Sequence, residues 1–280
     1  MINFLNSGLM HTVDGLYKVL PQEKPSQEKF ARSKVISHRG EFDNYSILEN
    51  TFSAFDSLLD LGVWGLECDI QWTKDNHPVI SHDPHLKRLF KSNALIKDLT
   101  LLELKNHFPQ VPDLEELVHR YGGQLHLMLE LKSDSIGLSN PRKDVLKSIL
   151  NELEPLAQFH FLSLDPDLLM QVDFTPSESL LPVAETNVRQ MSRQAAKNNW
   201  AGLSGHFLLI NNKFSNFHKR EGQKIGTGFV GSKACLYREI NRNVDWIFSN
   251  HASKIQPIVS KELKDYKKRI EEETESSPVV

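Results

Sequence analysis

Cysteine is nearly absent: 280 residues contain only Cys68 and Cys235. They stand far apart, with neither metal-type nor redox-type spacing, which excludes a disulfide scaffold. An excess of charge of one sign is also lacking, since 33 Lys and Arg against 36 Asp and Glu leave a formal charge of -3. Without clustered cationic residues there is no broad field for a phosphate backbone, so nucleic acid is not expected as a partner. Any anion must be met locally. No uninterrupted apolar run approaches the roughly 20 residues of a membrane-spanning helix. The opening MINFLNSGLMHTVDGLYKVL has no cationic start and is broken by His11 and Asp14. It lacks the pattern of an export signal, so cytoplasmic residence is the default expectation. Oligomeric state is left open.

What is present is alternation. Short β-branched or apolar runs alternate with amphipathic segments from about residue 34 to residue 250, the pattern of repeated βα units around a parallel sheet. The strand candidates are KVIS, VWGLECDI, HPVIS, LHLMLEL, FHFLSL, LLPVAE, AGLS, KIGTGFV and VDWIFS. Between them, ENTFSAFDSLLDLG sets Phe52, Phe55, Leu58 and Leu59 on one helical face and stops at Gly62. Thr100 and Asp113 open capping boxes with Glu103 and Glu116, and Pro141 and Pro166 stand in first helical turns. Nine strands are one more than a closed eight-stranded barrel uses. The second and third are joined by QWTKDNH, too short for a helical crossover, so they should form a hairpin and one strand should lie outside the ring. The expectation is an α/β fold, an irregular (β/α)8 TIM barrel over residues 31–260, with an open doubly wound sheet as the competitor. Residues 1–30 read as an extension packing on the barrel, and 261–280 as a charged helix and frayed tail.

In GLECDIQ the strand period of two puts Glu67, Asp69 and Gln71 on one face and Leu66, Cys68 and Ile70 on the other. Two carboxylates roughly 7 Å apart at an inner strand end repel each other and suffer desolvation. A bound hard cation, Mg2+ or Ca2+, would remove both difficulties. For an isolated E-x-D, pairing with Arg or Lys is the commoner outcome. LHLMLELK shifts the balance, because an apolar strand there ends in Glu130 and Lys132, again two apart. Glu67, Asp69 and Glu130 then form a candidate metal set, and Lys132 could meet an anionic substrate. A simple ion pair between Glu130 and Lys132 is the alternative. VISHRG and PVISHD set His38 with Arg39, and His82 with Asp83, at expected strand termini, where barrel enzymes build their sites. Two imidazoles can serve one displacement as base and acid. The other ten histidines, among them His77, His85, His206 and His251, are assigned to surface or loops.

Taken in order, HRG at 38–40, ENT at 49–51, ECD at 67–69, TKDNHPVISHD at 73–83 and LELK at 129–132 resemble the glycerophosphodiester phosphodiesterase family. The resemblance runs from residue 34 to about 250, with the specific motifs in the first half. It implies an irregular (β/α)8 barrel and hydrolysis of glycerophosphodiesters to an alcohol and sn-glycerol 3-phosphate with one divalent cation. It assigns Glu67, Asp69 and Glu130 to the metal, His38 and His82 to general base and general acid, and Arg39 and Lys132 to the phosphate. Glu49 and Asn50 match polar, substrate-binding residues at the site's edge. The chain departs from the family in having Leu48 where proline is usual, GTGF where Trp-Thr-Val-Asn is common, and Ser249 and Asn250 in place of Thr-Asp. These departures are expected on the substrate side, where a pocket aromatic is missing or supplied by another residue such as Phe229. The alternatives are a phospholipase D-like or sphingomyelin-cleaving relative, and a barrel that binds a phosphorylated ligand without turnover.

Overall fold

All nine expected strands form. They are β1 (Lys34–His38), β2 (Gly65–Trp72), β3 (Pro78–Ile80), β4 (His126–Leu131), β5 (Phe159–Ser163), β6 (Leu180–Ala184), β7 (Gly202–His206), β8 (Lys224–Gly228) and β9 (Trp246–Ser249). The structure is a computed structural model that describes residues 20–276, with side chains to residue 269. β1 pairs with both β9 and β2, which closes β1, β2 and β4 to β9 into a ring of eight parallel strands. β3 is the ninth and lies outside. It runs antiparallel to β2, with Ile70 opposite Ile80 and Trp72 opposite Pro78, as the short connection requires.

The helices are α1 (Gln27–Arg32), α2 (Phe52–Phe55), α3 (Ser57–Leu61), α4 (Lys87–Phe90), α5 (Leu101–His107), α6 (Leu114–Tyr121), α7 (Asn140–Ile149), α8 (Pro166–Leu169), α9 (Val188–Lys197), α10 (Asn212–Arg220), α11 (Lys233–Asn241) and α12 (Ala252–Ser276). Thr100 and Glu103 complete a reciprocal capping box on α5, and the Asp113 side chain accepts from the Glu116 N–H at the start of α6. The segment expected as one helix before Gly62 is two, α2 and α3, separated at Asp56, whose carboxylate accepts the Tyr121 hydroxyl at 2.6 Å. Ala54, Phe55 and Leu58 are buried, and Leu59 stands at the edge of that face with 40% exposure. Gly62 ends α3 in the left-handed region, at φ 69°.

Strand parity separates two cores. Outward-facing Leu66, Cys68, Ile70, Leu127, Leu129, Phe161, Leu203 and Ile225 pack under the helices. Inward-facing Ile36, Met128, Leu162, Leu181, Trp246 and Phe248 fill the floor of the barrel. A third cluster, Val79, Leu86, Ile96, Leu104 and Val111, seats the hairpin. Before β1, Phe30 of α1 is fully buried with its ring edge-on to Tyr237, and Lys24 pairs with Glu262 of α12 at 2.8 Å. Residues 1–19 of the expected extension and 277–280 of the expected tail lie outside the described residues. Residues 261–276 continue the helix that begins at Ala252.

Candidate active site

The inner face changes character along each strand. Above the apolar floor, the inner face carries His38 on β1, Glu67 and Asp69 on β2 and Glu130 on β4, with Lys132 just beyond β4; Glu67, Asp69 and Glu130 are buried. In register, His38 stands opposite Glu67, and Asp69 opposite Glu130. One oxygen from each of Glu67, Asp69 and Glu130 lies within 4.8 Å of the others. Taking ions out of water costs several kcal/mol each unless partners return it. Asp69 has partners: Arg39 Nε at 3.0 Å, Lys132 Nζ at 2.6 Å and the Asn50 amide at 2.7 Å. Burial alone would raise its carboxyl, but Arg39 and Lys132 outweigh it and hold Asp69 well below the usual range. Glu130 shares Lys132 at 2.5 Å.

Glu67 has no such relief. It is 1% exposed, neither carboxylate oxygen has a hydrogen-bond partner, and burial together with Asp69 and Glu130 pushes its pKa well up. A carboxylate stranded between two others is what a cation would satisfy, and three oxygen donors suit Mg2+ or Ca2+. The residues present therefore fit a divalent ion.

The two histidines border one edge of β2. The Arg39 N–H donates to the Glu67 carbonyl at 2.9 Å and the Ser81 N–H to the Asp69 carbonyl at 2.9 Å, so the segments bearing His38 and His82 leave β2 one above the other. His38 stands at the end of ring strand β1. His82 does not follow a ring strand; the hairpin strand β3 delivers it to the carboxylate level, and Gln71 holds its carbonyl at 3.1 Å. Each ring is fixed through Nδ1. His38 Nδ1–H donates to Asn250 Oδ1 at 2.6 Å, and His82 Nδ1–H to Asp83 Oδ1 at 2.8 Å. That leaves both Nε2 atoms for the site, the His38 one 3.6 Å from Glu67. Burial, with Arg39 beside it, pushes the His38 pKa down to about 3, so the ring is neutral at ordinary pH.

Glu49 and Asn50, expected at the substrate edge, hold other side chains. Glu49 accepts from Arg39 at 3.2 Å, from Asn44 at 2.8 Å and from both terminal nitrogens of Arg88 at 2.7 and 3.0 Å. Burial raises its pKa, but Arg88 and Arg39 bring it down to about 2. Arg88 also donates to Asp83 at 2.7 Å, so one guanidinium braces the acid beneath Arg39 and the acid behind His82. Sequence reasoning missed Arg88; a buried acid in ENT without a neighbouring base was the available signal. It also set Asn250 on the substrate side, whereas Asn250 bonds directly to His38 because β9 is the ring neighbour of β1. Asp83 bonds His82 through Oδ1. His206, assigned to surface or loop, is 6% exposed on the inner face of β7.

The backbone here departs from ordinary conformations. Arg39 and Asn50 have φ 64° and 57°, which non-glycine residues seldom adopt outside constrained sites. Gly40 is also left-handed, φ 87°, and an added Cβ would stand 2.7 Å from the Ala54 carbonyl oxygen. That contact explains the glycine of HRG.

These features define a closed (β/α)8 barrel with an acid-rich candidate metal centre at its C-terminal mouth. The profile of the Glycerophosphoryl diester phosphodiesterase family matches residues 38–254, most of the chain, and the chain belongs to that family. It is 32% identical over 130 residues to a glycerophosphodiester phosphodiesterase of Caldanaerobacter subterraneus, covering 42% of this chain and 53% of that protein. Over 72 residues it is 46% identical to human lysophospholipase D GDPD1, covering 26% of this chain and 22% of that protein. The match spans about half, or less, of the length of these curated relatives. A Galdieria sulphuraria structure of the same family name superposes with TM-score 0.71 at 19% identity, covering 81% of this chain and 98% of that one. An Oleispira antarctica phosphodiesterase, solved with the product sn-glycerol-3-phosphate, gives TM-score 0.69 at 23% identity, covering 81% and 96%. These structural likenesses establish the fold.

Proposed function

We propose that the chain hydrolyses small glycerophosphodiesters to an alcohol and sn-glycerol 3-phosphate with a divalent cation, Mg2+ or Ca2+. The observation that carries this is Glu67, a buried carboxylate with two unpartnered oxygens, beside Asp69 and Glu130 and flanked by two imidazoles that each offer Nε2. Glu67, Asp69 and Glu130 would hold the ion. When bound, it supplies positive charge against the phosphoryl oxygens.

Arg39 and Lys132 are charged whatever the ambient pH, and Asp69 and Glu130 hold them at the mouth. They neutralise the substrate phosphate and the charge that grows on it during displacement. Neutral His38 takes a proton at Nε2 from the nucleophile, its Nδ1–H held by Asn250. His82, its Nδ1 held by Asp83, gives a proton from Nε2 to the departing alcohol oxygen. Cytoplasmic residence and a small-molecule substrate belong to the same proposal. Among the described residues no helix is long and apolar enough to cross a membrane.

The test is release of glycerol 3-phosphate from glycerophosphocholine. Activity should vanish with chelator and return with Mg2+ or Ca2+, and His38→Ala should lose at least about 100-fold in kcat while keeping the wild-type circular dichroism and melting profile. Chelator-resistant turnover would remove the cation from the account. Undiminished activity of H38A would remove the base.

A further inference from the structure

Across the barrel mouth from Glu67 and Asp69 stands β7, on the opposite side of the eight-stranded ring from β2. Its last residue, His206, pairs in register with Gly228, and both face inward. The imidazole is buried, and its Nδ1 accepts the Leu208 backbone N–H at 3.2 Å. The proton therefore sits on Nε2, and that N–H has no partner in the protein. A buried donor left unmade is unfavourable, so it is a feature in need of a ligand. Burial pushes the imidazole down to about 4, which makes it a neutral donor at ordinary pH.

The surroundings point the same way. Phe207 stacks on the His206 ring at 4.6 Å. On the mouth side, Phe229 lies 5.2 Å from His206 and 6.0 Å from His38, so one ring bridges the orphan donor and the proposed base. Phe229 is 48% exposed and has φ 66°, a costly conformation for an aromatic residue, which keeps a large apolar face at the lip.

We infer that His206 and Phe229 form the subsite for the glycerol half of the substrate, with His206 Nε2–H donating to a glycerol hydroxyl and the Phe229 ring covering the carbon chain. This rests on the hydrolase reading above. The phosphate is met by Arg39 and Lys132 on the β1, β2 and β4 side. The leaving alcohol departs toward His82, which the hairpin carries on the β2 edge. The half retained on phosphorus then extends past His38 toward β8 and β7, where a neutral donor suits a neutral hydroxyl.

Glycerol 3-phosphate affinity should be measured by calorimetry, with Mg2+ present, for wild type, His206→Phe and His206→Gln. Glycerophosphocholine turnover should be compared in the same proteins with that of bis(4-nitrophenyl) phosphate, which has no glycerol. H206F should weaken glycerol 3-phosphate binding about tenfold, the loss of one hydrogen bond. It should raise KM rather than lower kcat for glycerophosphocholine, and cut the kcat/KM ratio of the two substrates about tenfold. H206Q, which returns an N–H near the imidazole Nε2 position, should recover most of both. An unchanged product affinity, an equal loss on both substrates, or H206Q no better than H206F would overturn the inference. If wild type bound glycerol 3-phosphate but turned nothing over, the hydrolase reading alone would fail, and the calorimetric comparison would still decide the role of His206.

Discussion

Asn250 sets the tautomer of His38 through a single 2.6 Å hydrogen bond, and the base role proposed for His38 needs a ring that does not turn. Asn250→Ala should therefore lower kcat for glycerophosphocholine on the order of 100-fold while leaving KM within a few-fold, since nothing that grips the phosphate is touched. Steady-state kinetics with an unchanged melting temperature check this, and a loss confined to KM would mean that Asn250 contacts substrate instead. Site residues legible in the sequence were of two kinds: Glu67 with Asp69, and Glu130 with Lys132, are two apart, so parity puts each pair on one face, while His38, Arg39 and His82 stand at expected strand termini. Those that were not legible reach the site from elsewhere. Arg88 comes from α4, Asn250 follows β9 and His206 ends β7, and no local spacing says that a ring closure brings β9 against β1.

At the scale of elements, the hairpin of β2 and β3 is what delivers His82, and it is pinned by a side chain far along the chain. Arg142 of α7 is 1% exposed; it bonds Asn76 in the hairpin turn, Asp134 and the Gly137 carbonyl after β4, and covers the Trp72 ring at 4.8 Å. Arg142→Ala should destabilise the fold by about 3 kcal/mol, because it opens a cavity and takes the donor from the Asn76 side chain and the Gly137 carbonyl. Urea denaturation measures this, and a change under 1 kcal/mol would show that the clamp is dispensable. The hairpin itself was readable, since QWTKDNH is too short for a crossover and Asn76 takes φ 59° in the turn. The position of β3 outside the ring followed only as one choice among several. Leu59 was misread because the buried face centres on Ala54, Phe55 and Leu58, which leaves Leu59 at its edge.

For the whole molecule, the barrel divides labour between its ends: charge and reactivity at the mouth, packing at the floor. The floor still holds two imidazoles. His126 donates from Nδ1 to the Ala157 carbonyl at 3.0 Å, so its Nε2 accepts the His160 Nδ1–H at 2.7 Å. Trp64 stacks on His126 at 4.1 Å with Lys34 over its outer face, and Trp246 meets His160 edge-on. Burial pushes His126 down to about 4; burial, with His126 and Lys34 nearby, pushes His160 down to about 3. Both are neutral when folded and take up protons near pH 6.5 when unfolded. The unfolded chain therefore binds more protons between these values. Stability from this pair is fully present above about pH 6.5, and is lost as pH falls through about 4, by up to roughly 3 kcal/mol per histidine. Replacing both partners with apolar groups, His126→Phe with His160→Leu, removes the donor and the acceptor together and should cost little at pH 8. The urea midpoint of the double variant should then fall less steeply than that of wild type between pH 6.5 and 4, where the depressed carboxylates Asp69, Glu49 and Asp83 are still ionised. His38 and His206 keep a residual slope in both proteins. Parallel pH profiles for the two would show that the floor pair does not carry the acid sensitivity of the fold.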